Sequence, residues 1–187
     1  MIAYLIGSIP FGLVFSKIFK KNDPRESGSK NVGATNILRT NGPKIGFATL
    51  IFDVVKAFIP LKLCQIFHFD IYYYLVFFIF FGHIFSVWLS FKGGKGIAVM
   101  IGILLSYSLG FGLVFLISWL LIFVIFKYSS LSALIACLVI QLFAFTNTNQ
   151  DHFYIIIFIL NIFIFFKHRE NIKRLLSGKE SKIMLKK

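Results

Sequence analysis

Of the 187 residues, 58% are hydrophobic and 25 are Phe, whereas a soluble domain carries about 45–50% apolar residues. With 14% charged residues and a mean hydropathy of +0.84, long apolar runs recur along the whole chain. That excludes a soluble domain with one anchor, a disordered chain and a disulfide scaffold. At ~20 residues per transmembrane helix, this length allows about seven spans with short loops. The expected fold is an all-α integral membrane bundle, a single polytopic domain over 1–187 with a basic cytoplasmic tail at 177–187. The net charge of +13, from 20 Lys+Arg against 7 Asp+Glu, would suggest nucleic acid in a soluble protein. Here the basic residues of cytoplasmic loops account for it, and no nucleic-acid partner is expected. Cys64 and Cys137 have neither CxxC spacing nor a His partner nearby, so neither a metal site nor a redox pair is indicated.

In chain order, Ile2–Phe19 is apolar, with no charged segment before it and no small-residue cleavage site after it. It reads as a retained helix, not a signal peptide. After a polar stretch from Lys20 to Lys44, apolar runs follow at Ile45–Leu63 and Ile71–Phe91, then, beyond Lys92–Gly96, at Ile97–Leu109, Phe111–Phe126, Leu131–Phe145 and Phe153–Phe166. A turn is expected near Leu109-Gly110. With that turn, Lys17/Lys20/Lys21, Lys92/Lys95, Lys127 and Lys167/Arg169 fall on one side. The connections at Gln65–Asp70, Ser106–Gly112 and Thr146–His152 contain no Lys or Arg. The positive-inside rule then puts the amino terminus outside and the carboxyl terminus in the cytoplasm. Four polar segments, Gly28–Arg39, Phe91–Gly96, Lys127–Ser132 and Lys167–Arg174, are expected to reach the same cytoplasmic face.

Two segments read as anion sites. Gly28-Ser29-Lys30-Asn31-Val32-Gly33-Ala34-Thr35-Asn36, closed by Arg39, combines glycines that let several N–H groups converge with a guanidinium that grips phosphate bidentately. An ordinary polar loop has the same composition. In Phe91-Lys92-Gly93-Gly94-Lys95-Gly96 the glycines allow close approach of a phosphate and Lys95 supplies charge, while Lys92 reads as an interface anchor. This is not a Walker loop, which needs Ser or Thr where Gly96 stands. His168 and Asn171 share a helix face at i, i+3 spacing. His168 can act as base or donor, although a His at a membrane interface is often only solvated; His83, beside Gly82, has the same two readings. Asp53 and Lys56, three apart inside an apolar run, read as a structural ion pair. No other intramembrane carboxylate is present to build a proton relay. Nor does any His have an Asp five residues on, the pairing used by soluble-type glycerolipid acyltransferases.

Gly7-Ser8-Ile9-Pro10-Phe11-Gly12, the GSKNVGATNxxR segment and Gly82-His83-Ile84-Phe85 running on to Phe91-Lys92-Gly93-Gly94-Lys95-Gly96 resemble, in order, the motifs of the PlsY family, the bacterial membrane glycerol-3-phosphate acyltransferases. The likeness continues through Asp23-x-Arg25, Asp53-x-x-Lys56, Ser130-Leu131 and His168-Arg169-Glu170-Asn171, and so spans Gly7 to Gly178. It implies seven transmembrane helices in the bacterial cytoplasmic membrane, an external amino terminus and a cytoplasmic active site. It further implies acyl transfer from acyl-phosphate to the 1-hydroxyl of glycerol 3-phosphate, giving lysophosphatidic acid and phosphate in phospholipid synthesis. By motif, Ser29, Arg39, Lys95, His168 and Asn171 would hold glycerol 3-phosphate, and Gly93, Gly94 and Gly96 the acyl-phosphate. Catalytic roles would fall to Ser130, His168 and Lys95. Asn31, Thr35, Asn36 and His83 also lie on motif positions. No cofactor and no metal are implied; the partners are the two substrates, membrane lipids and the soluble enzyme that makes acyl-phosphate.

The family usually has Gly where Lys30 stands, Pro at Ser86, Thr at Val99 and Arg at Lys127. Of these, Lys30 would bring a bulky cation to the first cradle, where it either strengthens phosphate attraction or points outward. An acyl-phosphate is already a mixed anhydride, so positioning and charge neutralisation suffice without a covalent enzyme intermediate; either His168 or a substrate phosphate oxygen can take the hydroxyl proton. The second reading is a small permease or carrier for phosphate esters, disfavoured because carriers keep their sites near the midplane.

Overall fold

The computed structural model describes residues 1–68, 70–147 and 151–183, the side chains of Asp151 and His152 excepted. The connections expected at Gln65–Asp70 and Thr146–His152, and the end of the basic tail, fall partly outside the described residues. Every described element is helical. The chain forms two compact units, Met1–Tyr107 and Ser108–Lys187.

The first unit contains α1 (Ile2–Ser8), α2 (Phe11–Ile18), α3 (Ala34–Asn41), α4 (Pro43–Ile66), α5 (Tyr72–Ile84), a single turn of 3-10 helix at Val87–Leu89, and α6 (Ile97–Tyr107). Small residues set its helix crossings, because they let backbones approach. A Cβ on Gly7 would meet the Ile79 backbone, one on Gly82 the Tyr4 carbonyl, and one on Gly102 the Val54 carbonyl. Ala57, Leu61, Ile79, Phe80, Met100 and Ile103 are fully enclosed between these helices.

The segment expected to form one helix through Phe19 is divided at Ile9-Pro10. Proline lacks an N–H and its ring excludes the preceding turn, so Ile9 turns extended, with φ −57° and ψ 117°. The carbonyls released by that break find side-chain donors, as an apolar surrounding demands. Lys56 Nζ donates to Ile9 O at 2.7 Å, and Ser86 Oγ donates to Ser8 O at 2.6 Å. Ser86, where the family usually has Pro, thus has a task that Pro could not perform.

The second unit contains α7 (Leu109–Phe126), α8 (Ser129–Asn147), α9 (Asp151–Lys167) and α10 (Arg169–Leu176). The break expected near Leu109-Gly110 occurs at Ser108, whose hydroxyl accepts from the Gly110 N–H. Between α8 and α9, the buried Asn161 donates through Nδ2 to Cys137 O at 3.0 Å. Leu113, Ile117, Leu120, Leu121, Val124 and Ile125 on α7 are exposed, as suits contact with acyl chains rather than water. By length and composition, Tyr72–Leu89, Leu109–Phe126 and Ser129–Asn147 can cross a membrane, and Ile97–Tyr107 and Phe153–Lys167 are shorter apolar helices.

Candidate active site

In the first unit the Gly28–Arg39 segment wraps around one buried amide. Asn36 Oδ1 accepts from the Ser29 N–H at 2.8 Å, while its Nδ2 reaches Pro24 O at 2.9 Å, Asn31 O at 2.8 Å and Ser27 O at 3.2 Å. Asn31 Oδ1 in turn accepts from the Gly33 N–H at 2.8 Å, a turn made by its own side chain. Asn31 and Asn36 therefore shape the loop. Thr35 and the half-buried Arg39 share a face of α3 at i, i+4 spacing, and Ser29 is exposed. Lys30 has φ +56°, the left-handed region that favours glycine, which explains the family's usual residue there. Its side chain is exposed, so it does not fill the cradle.

The second loop folds back on the end of α5. Gly93 and Gly94 are buried, Lys95 is half-buried and Lys92 exposed. A Cβ on Gly93 would meet the His83 carbonyl oxygen and one on Gly94 would meet His83 Nε2. The Gly94 N–H donates to His83 O at 3.1 Å. Gly96, at φ +90°, starts α6 and gives its carbonyl to the Met100 N–H at 2.8 Å. Leu13 of α2, Val32 of the first loop and Leu89 before the second form one buried cluster, which ties both loops to α2.

Beneath the second loop, Asp53 and Lys56 pair at 2.6 Å, both buried, and Lys56 Nζ also lies 3.0 Å from His83 Nδ1. The structural ion pair expected from spacing is present. It extends to a histidine that sequence spacing did not connect with it.

In the second unit His168 separates α9 from α10 and is buried. Its Nδ1 lies 2.8 Å from Ile164 O. A carbonyl only accepts, so Nδ1 carries a proton, and in the neutral ring the lone pair is on Nε2. Ser130 stands in the first turn of α8 rather than in the connecting loop. Ser130 Oγ and Asn171 Nδ2 both donate to Glu180 Oε1 at 2.7 Å, and Arg174 Nε donates to Glu180 Oε2 at 2.7 Å. Burial pushes the Glu180 carboxyl up, but the bonds from Ser130, Asn171 and Arg174, with the Arg174 charge, outweigh it and hold the group below the usual carboxylate range.

Glu180 is the residue that sequence reasoning missed, because 177–187 reads as a solvated basic tail; its pairing with Arg174, Ser130 and Asn171 followed only from the fold. The available signal was Gly178 directly after α10, followed by a lone acid. Gly178, at φ +68°, ends α10 with bonds from the Gly178 N–H to Leu175 O and from the Lys179 N–H to Arg174 O. This Schellman turn reverses the chain and carries Glu180 back over Ser130. Ile183 then buries its side chain and donates its N–H to Lys127 O at 3.0 Å. Among the described residues, no three His, Cys, Asp or Glu side chains gather as a metal ion would need.

A helical membrane chain with a glycine- and lysine-rich loop in one unit and buried Ser130, His168 and Asn171 in the other has features that suit an acyl-transfer enzyme. The family model described as Glycerol-3-phosphate acyltransferase matches residues 1–178. The chain is 46% identical over 181 residues to the glycerol-3-phosphate acyltransferase of Pelagibacter ubique (strain HTCC1062), covering 96% of this chain and 93% of that protein. It is 42% identical over 188 residues to that of Bartonella quintana (strain Toulouse), covering 98% and 89%. Among solved structures it resembles PlsY (YgiH), an integral membrane glycerol 3-phosphate acyltransferase, in its glycerol 3-phosphate form. The TM-score is 0.91 at 37% identity, over 98% of this chain and 92% of that one. The lysophosphatidic acid form of PlsY gives 0.88 at 36%, over 97% and 92%. The chain belongs to the glycerol-3-phosphate acyltransferase family of multi-pass integral membrane enzymes.

Proposed function

We propose that this chain transfers an acyl group from acyl-phosphate to the 1-hydroxyl of glycerol 3-phosphate, giving lysophosphatidic acid and inorganic phosphate. The observation that carries the donor assignment is the Lys92–Gly96 loop, where buried glycine backbone and a half-buried Lys95 stand together. Backbone N–H groups beside a lysine suit a bare phosphate. A coenzyme A thioester brings an adenine nucleotide head, for which the short segments at 91–96 and 127–132 provide no groove. The acceptor and product readings are supported by the relative solved in glycerol 3-phosphate and lysophosphatidic acid forms.

In this reading Ser29, Arg39 and Lys95 neutralise and hold the phosphate of glycerol 3-phosphate, with Thr35 on the Arg39 face of α3. The loop backbone at Gly93 and Gly96 receives the acyl-phosphate, with Gly94 tying the loop to the His83 carbonyl. His168 Nε2 takes the proton of the 1-hydroxyl as its oxygen attacks the acyl carbon; phosphate leaves with the bonding electron pair. Asn171 and Ser130, both tied to Glu180, set the geometry beside His168. No cofactor or divalent metal enters the scheme. The seven apolar runs cross the bacterial cytoplasmic membrane with the amino terminus outside and the chemistry on the cytoplasmic face, where the soluble enzyme that makes acyl-phosphate delivers the donor. A cysteine placed at Ser181 is labelled from the cytoplasmic side alone; labelling from outside would overturn that orientation.

Purified protein in nanodiscs, given palmitoyl-phosphate and glycerol 3-phosphate, is expected to release lysophosphatidic acid and phosphate one for one, with EDTA having no effect. Transport of glycerol 3-phosphate into proteoliposomes without product would make the chain a carrier and end the enzyme reading.

A further inference from the structure

The buried Asp53–Lys56–His83 group is more closely defined than two charges that cancel. An ammonium has three hydrogens to donate and no lone pair. Lys56 has three acceptors in reach: Ile9 O at 2.7 Å, Asp53 Oδ1 at 2.6 Å and His83 Nδ1 at 3.0 Å. His83 Nδ1 is therefore an acceptor. The competing arrangement, in which an Nδ1 proton is given to Asp53, requires a hydrogen bond between atoms that lie 3.9 Å apart, beyond hydrogen-bond reach. His83 accordingly carries its proton on Nε2, and the Nε2 edge of the ring is the one against Gly94. The His83 carbonyl holds the same loop through the Gly94 N–H. One residue thus meets the glycine loop with both its ring and its backbone, and the ring is fixed from behind by the ion pair.

We propose that Asp53, Lys56 and His83 are positioning residues for the acyl donor: the ion pair sets the tautomer and orientation of the His83 ring, and the ring edge and carbonyl set the Gly93–Gly94 backbone of the loop that receives the donor's phosphate. The proposal rests on reading the Lys92–Gly96 loop as the donor-phosphate site. It separates these residues from Ser29 and Arg39 on the glycerol 3-phosphate side, and it gives the Lys56 ammonium two tasks, closing the break at Ile9-Pro10 and orienting His83. Small displacements of a bound reactant cost large factors in rate, so a loop that shifts when its support is removed is felt first through the donor.

The test is steady-state kinetics in nanodiscs with palmitoyl-phosphate and glycerol 3-phosphate varied separately. Lys56→Met is expected to lower kcat/KM for palmitoyl-phosphate about ten-fold or more while KM for glycerol 3-phosphate stays within about two-fold. Should Lys56→Met fail to accumulate, the charge-free double variant Asp53→Asn with Lys56→Met carries the same expectation. Two substitutions divide the two sides of the ring. His83→Gln can place an amide N–H where Nε2 stands and should retain donor kcat/KM within about three-fold. His83→Asn can keep an acceptor for Lys56 but has no atom at the ring edge, and should lose about ten-fold. Nitrogen-15 spectra of histidine-labelled protein, with His83 assigned by its loss in His83→Gln, should show Nδ1 unprotonated and Nε2 protonated. A proton on Nδ1, or a rise in KM for glycerol 3-phosphate as large as the loss in kcat/KM for the donor, would overturn the proposal. If the wild type makes no product from palmitoyl-phosphate, the donor reading has failed, and the nitrogen spectra still decide whether Lys56 sets the ring.

Discussion

In the first unit, the Lys92–Gly96 loop is held by backbone, with glycines seated directly on the carbonyl and ring of His83. In the second unit, Ser130, Asn171 and Arg174 are held by one carboxylate, Glu180, brought in by the chain after α10. The first arrangement fails when volume is added against the loop backbone. The second fails when its anion is removed. Two regions assigned to one reaction therefore have different weaknesses, and each can be attacked by a change that spares the other.

The largest effect is expected where volume meets backbone. Gly93→Ala puts a methyl against the His83 carbonyl oxygen, which cannot swing aside as a flexible side chain can. It should lower kcat/KM by at least ~10²-fold, a loss of ~2.7 kcal/mol of transition-state stabilisation. Lys95→Ala and Arg39→Ala, which in the proposed scheme would remove charge-assisted bonds to phosphate, belong in the same range. Near-wild-type kinetics for Gly93→Ala would remove the backbone side of the comparison.

Next comes Glu180. Glu180→Ala leaves the donors of Ser130, Asn171 and Arg174 without their acceptor, and a buried donor left unsatisfied costs ~1–3 kcal/mol. A lower midpoint of thermal unfolding and about ten-fold lower activity are expected. Glu180→Gln, which keeps an acceptor oxygen, should fall between that variant and the wild type. The carboxyl lies below its usual range in the fold. Its contribution to stability is therefore complete above the ordinary glutamate pKa of about 4.3 and is lost as pH falls through the lower folded value. Thermal unfolding followed from pH 7 down to pH 3 should show that acid-side loss in the wild type and a flatter profile in Glu180→Gln; identical profiles would remove Glu180 from the account. The smallest effect is Lys92→Ala, expected within about two-fold because that side chain is exposed, and an equal loss to that of Lys95→Ala would mean that the loop does not discriminate between its lysines.

The same contrast explains what could be read from the sequence. The first unit's loops are contiguous runs of Gly, Ser, Asn and Lys, so their chemistry is local and legible. The apolar helices were legible too, because each run carries its own signal, whereas α3 lies inside a polar stretch that gave none. What spacing did not give was long range: Lys56 reaching Ile9 and His83, and Glu180 reaching Ser130 across 50 positions. Pro10 stands inside the first apolar run, yet a run of that length reads as one helix. The conversion of the break into a binding site for Lys56 is a property of packing. Lys30 illustrates the reverse case, in which a residue suspected from the sequence of disturbing the cradle is accommodated by a left-handed backbone and points to solvent.

The central claim, that the glycine loop receives a bare phosphate on the acyl donor, is tested most directly by giving the purified enzyme palmitoyl-phosphate and palmitoyl-coenzyme A at equal concentration with glycerol 3-phosphate, and following lysophosphatidic acid. The account predicts turnover with palmitoyl-phosphate alone, inhibited by inorganic phosphate in competition with the donor. Turnover with the thioester at a comparable rate, or inhibition by phosphate that rising palmitoyl-phosphate does not relieve, would contradict it.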